Sequence, residues 1–123
     1  MTVGEMKQLV MFQTGNDAED VGEFLPYLTD YLNEGYDRLV FAFAREHVAE
    51  DSQSFLMLAD DLDAPRLPNW THPAIANWAA WCVYRNGNPQ KQNRGYQFRA
   101  AAEETAAQIR GGTKTQTFFN MPG

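Results

Sequence analysis

Few residues in this chain could do covalent or metal chemistry. Its 123 residues include two histidines, His47 and His72, and one cysteine, Cys82. Neither histidine sits beside cysteine or acids at a metal-ligand spacing such as HExxH. His47 falls near the end of a helical pattern, where its charge suits the helix dipole. His72 falls at a helix start, as a cap or surface residue. No Gly-rich phosphate loop, no GxSxG and no Cys–His arrangement occurs. The expectation is therefore no catalytic residue, no metal ligand and no cofactor. A single cysteine cannot form an internal disulfide and fits a reducing compartment.

The remaining clusters concern binding. "ADDLDAP" brings Asp60, Asp61 and Asp63 together but lacks the glycine and terminal glutamate of a calcium loop. It reads as a solvated acidic loop, or as one facing a partner or a lumen. Basic residues gather late, at Arg85, Lys91, Arg94, Arg99 and Arg110. They read as a solvated face, or as a complement to acids of the second helix or of another subunit. Trp70, Trp78 and Trp81 fall within twelve positions. Nucleobase stacking would also need a basic groove, and within residues 69–85 only Arg85 is basic. Thr117, Phe118, Phe119 and Met121 form an apolar end to a polar tail. No local helix can bury them, so they are expected to dock elsewhere.

These residues need elements to position them. "TVGE" has capping-box spacing, with Thr2 as N-cap and Glu5 as N3. A short helix follows and stops at Gly15-Asn16-Asp17. The second helix is predicted over about 24–48, with Pro26 in its first turn. Leu25, Leu28, Leu32, Leu39 and Phe43 share its apolar face. Glu34 and Arg38 form an i,i+4 pair on the polar face, where Tyr27 and Phe41 also point. Gly35 in its middle allows a bend or a close contact. Residues 49–70 read as a long, partly apolar connection, which Trp70 pins to the bundle. The third helix opens at Thr71 or His72 with Pro73 in its first turn. It closes at "NGNP", where Gly87 is expected to turn left-handed. Asn88 then caps a fourth helix with Pro89 first. That helix runs to about 110 and turns Gly95, Phe98, Ala102, Thr105, Ala106 and Ile109 to one side.

On the third helix Ile75, Trp78, Ala79 and Cys82 form the inner stripe. Trp81 and Tyr84 lie nearer the back. A helix apolar nearly all round is either central or touches another molecule. So Trp81 and Tyr84 either pack inside or, with Tyr27 and Phe41, supply a subunit interface. The fold class expected is all-α: a four-helix bundle over 1–112 with one long central helix, a long loop, and an extended arm over 113–123. No secretory leader and no apolar run of membrane-spanning length is seen. The net charge of −6 argues against wrapping nucleic acid by phosphate neutralisation. It suits walls that let DNA slide past without gripping it.

The stretch "LPNWTHPAIANWAAWCVYRNGNPQKQNRGYQF", with "YLTDYLNEGYDRLV" before it, resembles tailed-phage head–tail connector (adaptor) proteins. The likeness covers about residues 24–110. Trp70, Trp78, Gly87, Asn88 and Pro89 carry it as scaffold. It implies a helical bundle that forms a ring, dodecameric like the portal, in the virion neck. Such a ring extends the DNA channel and meets the stopper or tail-completion protein. It also implies synthesis in the host cytoplasm and docking on the portal through the C-terminal arm, at Thr117, Phe118, Phe119 and Met121. Double-stranded DNA would pass through without sequence-specific binding. The competing expectation is a helical interaction module that dimerises through the Trp81/Tyr84 surface.

Overall fold

The computed structural model describes residues 1–15, 24–46 and 57–111, with side chains omitted at 44–46. His47 and the arm residues Thr117, Phe118, Phe119 and Met121 lie outside the described residues. Four α-helices and no strand occur among the described residues, so the chain is an all-α bundle.

Helix α1 spans Val3–Thr14. The capping box is present: the Thr2 hydroxyl accepts from the Glu5 amide and the Glu5 carboxylate accepts from the Thr2 amide. Helix α2 spans Leu28–Glu46, after a 3-10 turn over Leu25–Tyr27 that contains Pro26. Leu28, Leu32 and Leu39 are buried, as their spacing predicts, while Leu25 is exposed at the turn. Helix α3 spans His72–Arg85 and α4 spans Pro89–Arg110. Gly95, Ala102, Ala106 and Ile109 form the buried stripe of α4.

The long second helix is not the central one. That place belongs to α3, the shorter 14-residue helix. It packs against α1, α2 and α4, and ten of its residues are buried. Four of them, Ala74, Ala76, Ala79 and Ala80, are small enough to let backbones close in. Two glycines complete the fit from the other side. A Cβ on Gly35 would lie 3.0 Å from the Ile75 carbonyl oxygen and 3.0 Å from Trp78 Cβ. A Cβ on Gly95 would lie 2.7 Å from the Trp81 ring and 2.8 Å from Tyr84 Cβ. The glycine in α2 is therefore a contact site.

Three local expectations change. No side-chain cap closes the start of α3; Thr71 instead donates to the Pro68 carbonyl at 2.7 Å. His72 is neither cap nor surface residue. It is buried, with the Met1 amino nitrogen at 2.7 Å from Nδ1 and the Leu67 carbonyl at 2.9 Å from Nε2. A buried imidazole needs both nitrogens satisfied; here the distant N-terminus serves one and the preceding turn the other. Gly87 is not left-handed, for no described glycine has positive φ. The joint relies on the Asn88 side chain, which accepts from the Lys91 amide at 2.9 Å.

The packing gives two stability outcomes. Gly95→Ala should destabilise the fold by about 1–3 kcal/mol through overpacking. Gly111→Ala should be close to neutral, since its nearest contact is 3.5 Å away and its φ is −88°. Urea unfolding of the two variants checks both. Equal midpoints would contradict the close approach of α3 and α4.

Candidate functional site

The aromatic residues of α3 meet a polar seam where α2, α3 and α4 converge. Glu34 on α2 accepts from Arg85 on α3 twice, at 2.6 and 3.1 Å, and from Trp78 Nε1 at 3.2 Å. This is a bidentate carboxylate–guanidinium pair with a third donor added. Hydrogen bonds from Arg85 hold the Glu34 carboxyl below the usual carboxylate range, against its partial burial. Arg38 does not pair with Glu34. It lies over the Trp78 ring at 4.0 Å and reaches Glu103 on α4 at 2.9 Å. Arg99 shares Glu103 at 3.6 Å and lies 5.5 Å from the Trp81 ring. Arg85 lies 5.7 Å from the Tyr31 ring. Three arginines therefore stand over three aromatic rings, tied by two glutamates.

This arrangement fastens helices together. Burial, and then the nearby Glu34 charge, pushes the Cys82 thiol up to about 12. At neutral pH this shift favours the protonated thiol over the thiolate that nucleophilic attack or metal ligation needs. No group of three or more His, Cys, Asp or Glu is placed to hold a metal among the described residues. No helix there is long and apolar enough to cross a membrane.

The tryptophans separate by environment. Trp78 is buried in the seam. Trp81 is only 9% exposed, under Tyr96 at 5.3 Å between ring centroids. Tyr84 is 6% exposed and stacks on Phe98 at 6.2 Å. Trp81 and Tyr84 are thus covered by α4 of their own chain. This corrects the expectation that they supply a subunit interface: α4 lies on the side of α3 that the helical wheel leaves open. Trp70 goes the other way. It is 52% exposed, about half of it outside the bundle.

The loop is held by other groups. Asn33, buried on α2, exchanges two 2.8 Å hydrogen bonds with the Leu58 backbone. Tyr36 accepts from the Arg66 amide at 2.9 Å. The Asp61 and Asp63 carbonyls accept from the Gly4 and Val3 amides, at 2.9 and 2.7 Å. They thereby satisfy open donors of the first turn of α1. Lys7 pairs with Asp61 at 2.9 Å. The Asp63 carboxylate accepts from the Asp60 and Ala59 amides, which hold it below the ordinary range. The acidic triplet is a solvent-exposed loop, as expected, whose backbone also caps α1.

Large apolar side chains stay outside on two sets of elements. Leu25, Tyr27, Phe41 and Tyr96 are exposed on the turn before α2, on α2 and on α4; Phe12, Met57, Leu62 and Trp70 are exposed on α1 and the 57–71 segment. Of the residues expected at an interface, Tyr27 is 56% and Phe41 65% exposed. An open groove of about 370 Å³ runs beside Phe41, lined also by Asp37, Arg38, Ala106 and Arg110. Sequence reasoning missed Arg38 and Arg99 near the tryptophans, because both come from other helices. It also missed Asn33, Leu62 and Met57. No protein-family model, curated protein or solved structure matches this chain.

Two outcomes follow. Trp78→Ala and Trp81→Ala should each cost about 3–5 kcal/mol as core truncations, read by thermal or urea unfolding. A near-neutral Trp81→Ala would mean that α4 does not cover it. Glu34 has a lowered folded pKa, so its pairing adds stability above the ordinary carboxylate pKa. That stability is lost as the pH falls through the lowered value. Glu34→Gln should therefore flatten the acid limb of a stability–pH curve; an unchanged limb contradicts the pairing.

Proposed function

We propose that this chain is a structural connector of a tailed bacteriophage, an adaptor without catalytic function. Its copies form a ring under the portal, extend the DNA channel and join head to tail in the virion neck. The portal, neighbouring copies and a stopper or tail-completion protein are its partners, and double-stranded DNA passes through without sequence-specific contact.

One observation carries this reading. The exposed apolar groups come from two different sets of elements: Leu25, Tyr27, Phe41 and Tyr96 from the turn before α2, α2 and α4, and Phe12, Met57, Leu62 and Trp70 from α1 and the 57–71 segment. A ring uses a heterologous contact, in which one surface meets a different surface of the next copy. A two-fold dimer needs a single self-complementary patch. Three further points agree. The resemblance to the connector family runs through the α3–α4 joint, where Asn88 caps α4. The charge of −6 suits a channel that must not hold phosphates. The only thiol is buried and protonated.

Electron microscopy of the chain mixed with a portal tests the proposal. Rings stacked on the portal are expected. A compact dimer that ignores the portal would sink the connector reading and favour a homodimeric interaction module. Deleting residues 113–123 should abolish docking while leaving the helical circular dichroism and the melting temperature nearly unchanged. A truncated chain that still docks removes the arm from the contact.

A further inference from the structure

The acidic loop and the groove lie on opposite flanks of α2. Tyr36 and Asn33 hold the 57–66 segment on one flank. Arg38 and Phe41 line the groove on the other. Tyr36 and Arg38 are two residues apart, a spacing that turns side chains to nearly opposite sides of a helix. Each loop is also fastened to α1 and α2 of its own chain by Asn33, Gly4, Val3 and Lys7. It therefore cannot swing round to its own groove.

The two surfaces are complementary. The loop ends in Leu62, 88% exposed, with Asp60 and Asp61 beside it. The groove offers Phe41, 65% exposed, and Ala106 as an apolar floor. Its rim carries Arg38 and Arg110 against one acid, Asp37. Asp60 and Arg110 have no ion-pair partner among the described residues, whereas Asp61 has Lys7 and Arg38 has Glu103. Each surface thus keeps one unneutralised charge, of opposite sign, next to an exposed apolar side chain.

We propose that the Asp60–Leu62 loop of one copy docks in the Phe41–Arg110 groove of a second copy of this chain. Leu62 meets Phe41 and Ala106, and Asp60 faces Arg110. The contact is head-to-tail, so every copy keeps one loop and one groove for the next. The inference rests on the ring reading above and names its lateral contact.

Cysteine trapping with the full chain tests it. Cys82 is 1% exposed and stays out of the reaction. Chains bearing both Leu62→Cys and Phe41→Cys should give, on oxidation or with a short bis-maleimide, a ladder of dimers, trimers and higher multimers. Mixing the two single variants should give only dimers that contain one of each. Arg110→Glu should abolish the ladder, Asp60→Lys in the same chain should restore it, and high salt should weaken it. Circular dichroism confirms that these surface variants remain folded. Leu62→Cys chains that trap only one another, an absent ladder at every concentration, or no effect of Arg110→Glu each overturn the contact. Rings on the portal without the 62–41 cross-link overturn this contact alone. A 62–41 ladder from a chain that ignores the portal overturns the connector reading alone.

Discussion

The structure depends on the enclosure of α3. A helix with apolar residues on nearly every side must be covered on every side, and three helices do this. Its alanines allow close approach, and Gly35 and Gly95 remove the side chains that would hold α2 and α4 away. The cost of two glycines inside helices, about 0.5–1 kcal/mol each, is offset by the packing of Trp78 and Trp81 against the neighbouring helices. The polar seam follows from the same crossing. Where α2 and α4 close over the tryptophans, their charged residues are forced together, and Glu34 and Glu103 tie the arginines in place.

Much of the fold was legible in local signals. The Thr2–Glu5 capping box, Pro26 in the first turn before α2, the Asn88 cap and the α4 stripe are all readable from spacing, because each concerns residues within one turn or one face. What failed was long-range. Arg38 was paired with Glu34 by its i,i+4 spacing, yet each found a stronger partner on another helix, Glu103 and Arg85 respectively. His72 sat at a helix start and so read as exposed, but Met1 and Leu67 enclose it. Periodicity identifies which side of a helix is apolar. It does not say how many sides are covered, and for that reason it leaves Trp81 and Tyr84 open between core and interface. Trp70, in the 3-10 turn Asn69–Thr71 before α3, has no periodicity from which its 52% exposure could be read.

This reassignment moves the candidate interface. With Trp81 and Tyr84 internal, the proposed assembly would use groups that the bundle leaves outside: Tyr27 and Phe41, with the loop and groove on either flank of α2. The Asp60–Asp63 loop also changes meaning. Its backbone caps α1, which fixes its position, while its Leu62 tip remains exposed. A rigid loop with an apolar tip and acidic shoulders is suited to a complementary groove, because little conformational entropy is lost on docking.

Side-chain footprinting by hydroxyl radicals, on the free chain and on the chain assembled with a portal, tests this account most directly. It predicts weak labelling of Trp78 and Trp81 in both states. It predicts strong labelling of Met57, Leu62 and Phe41 in the free chain, with loss of labelling at Leu62 and Phe41 on assembly. Strong labelling of Trp81 in the free chain that disappears on assembly, with Leu62 and Phe41 unchanged, would contradict it.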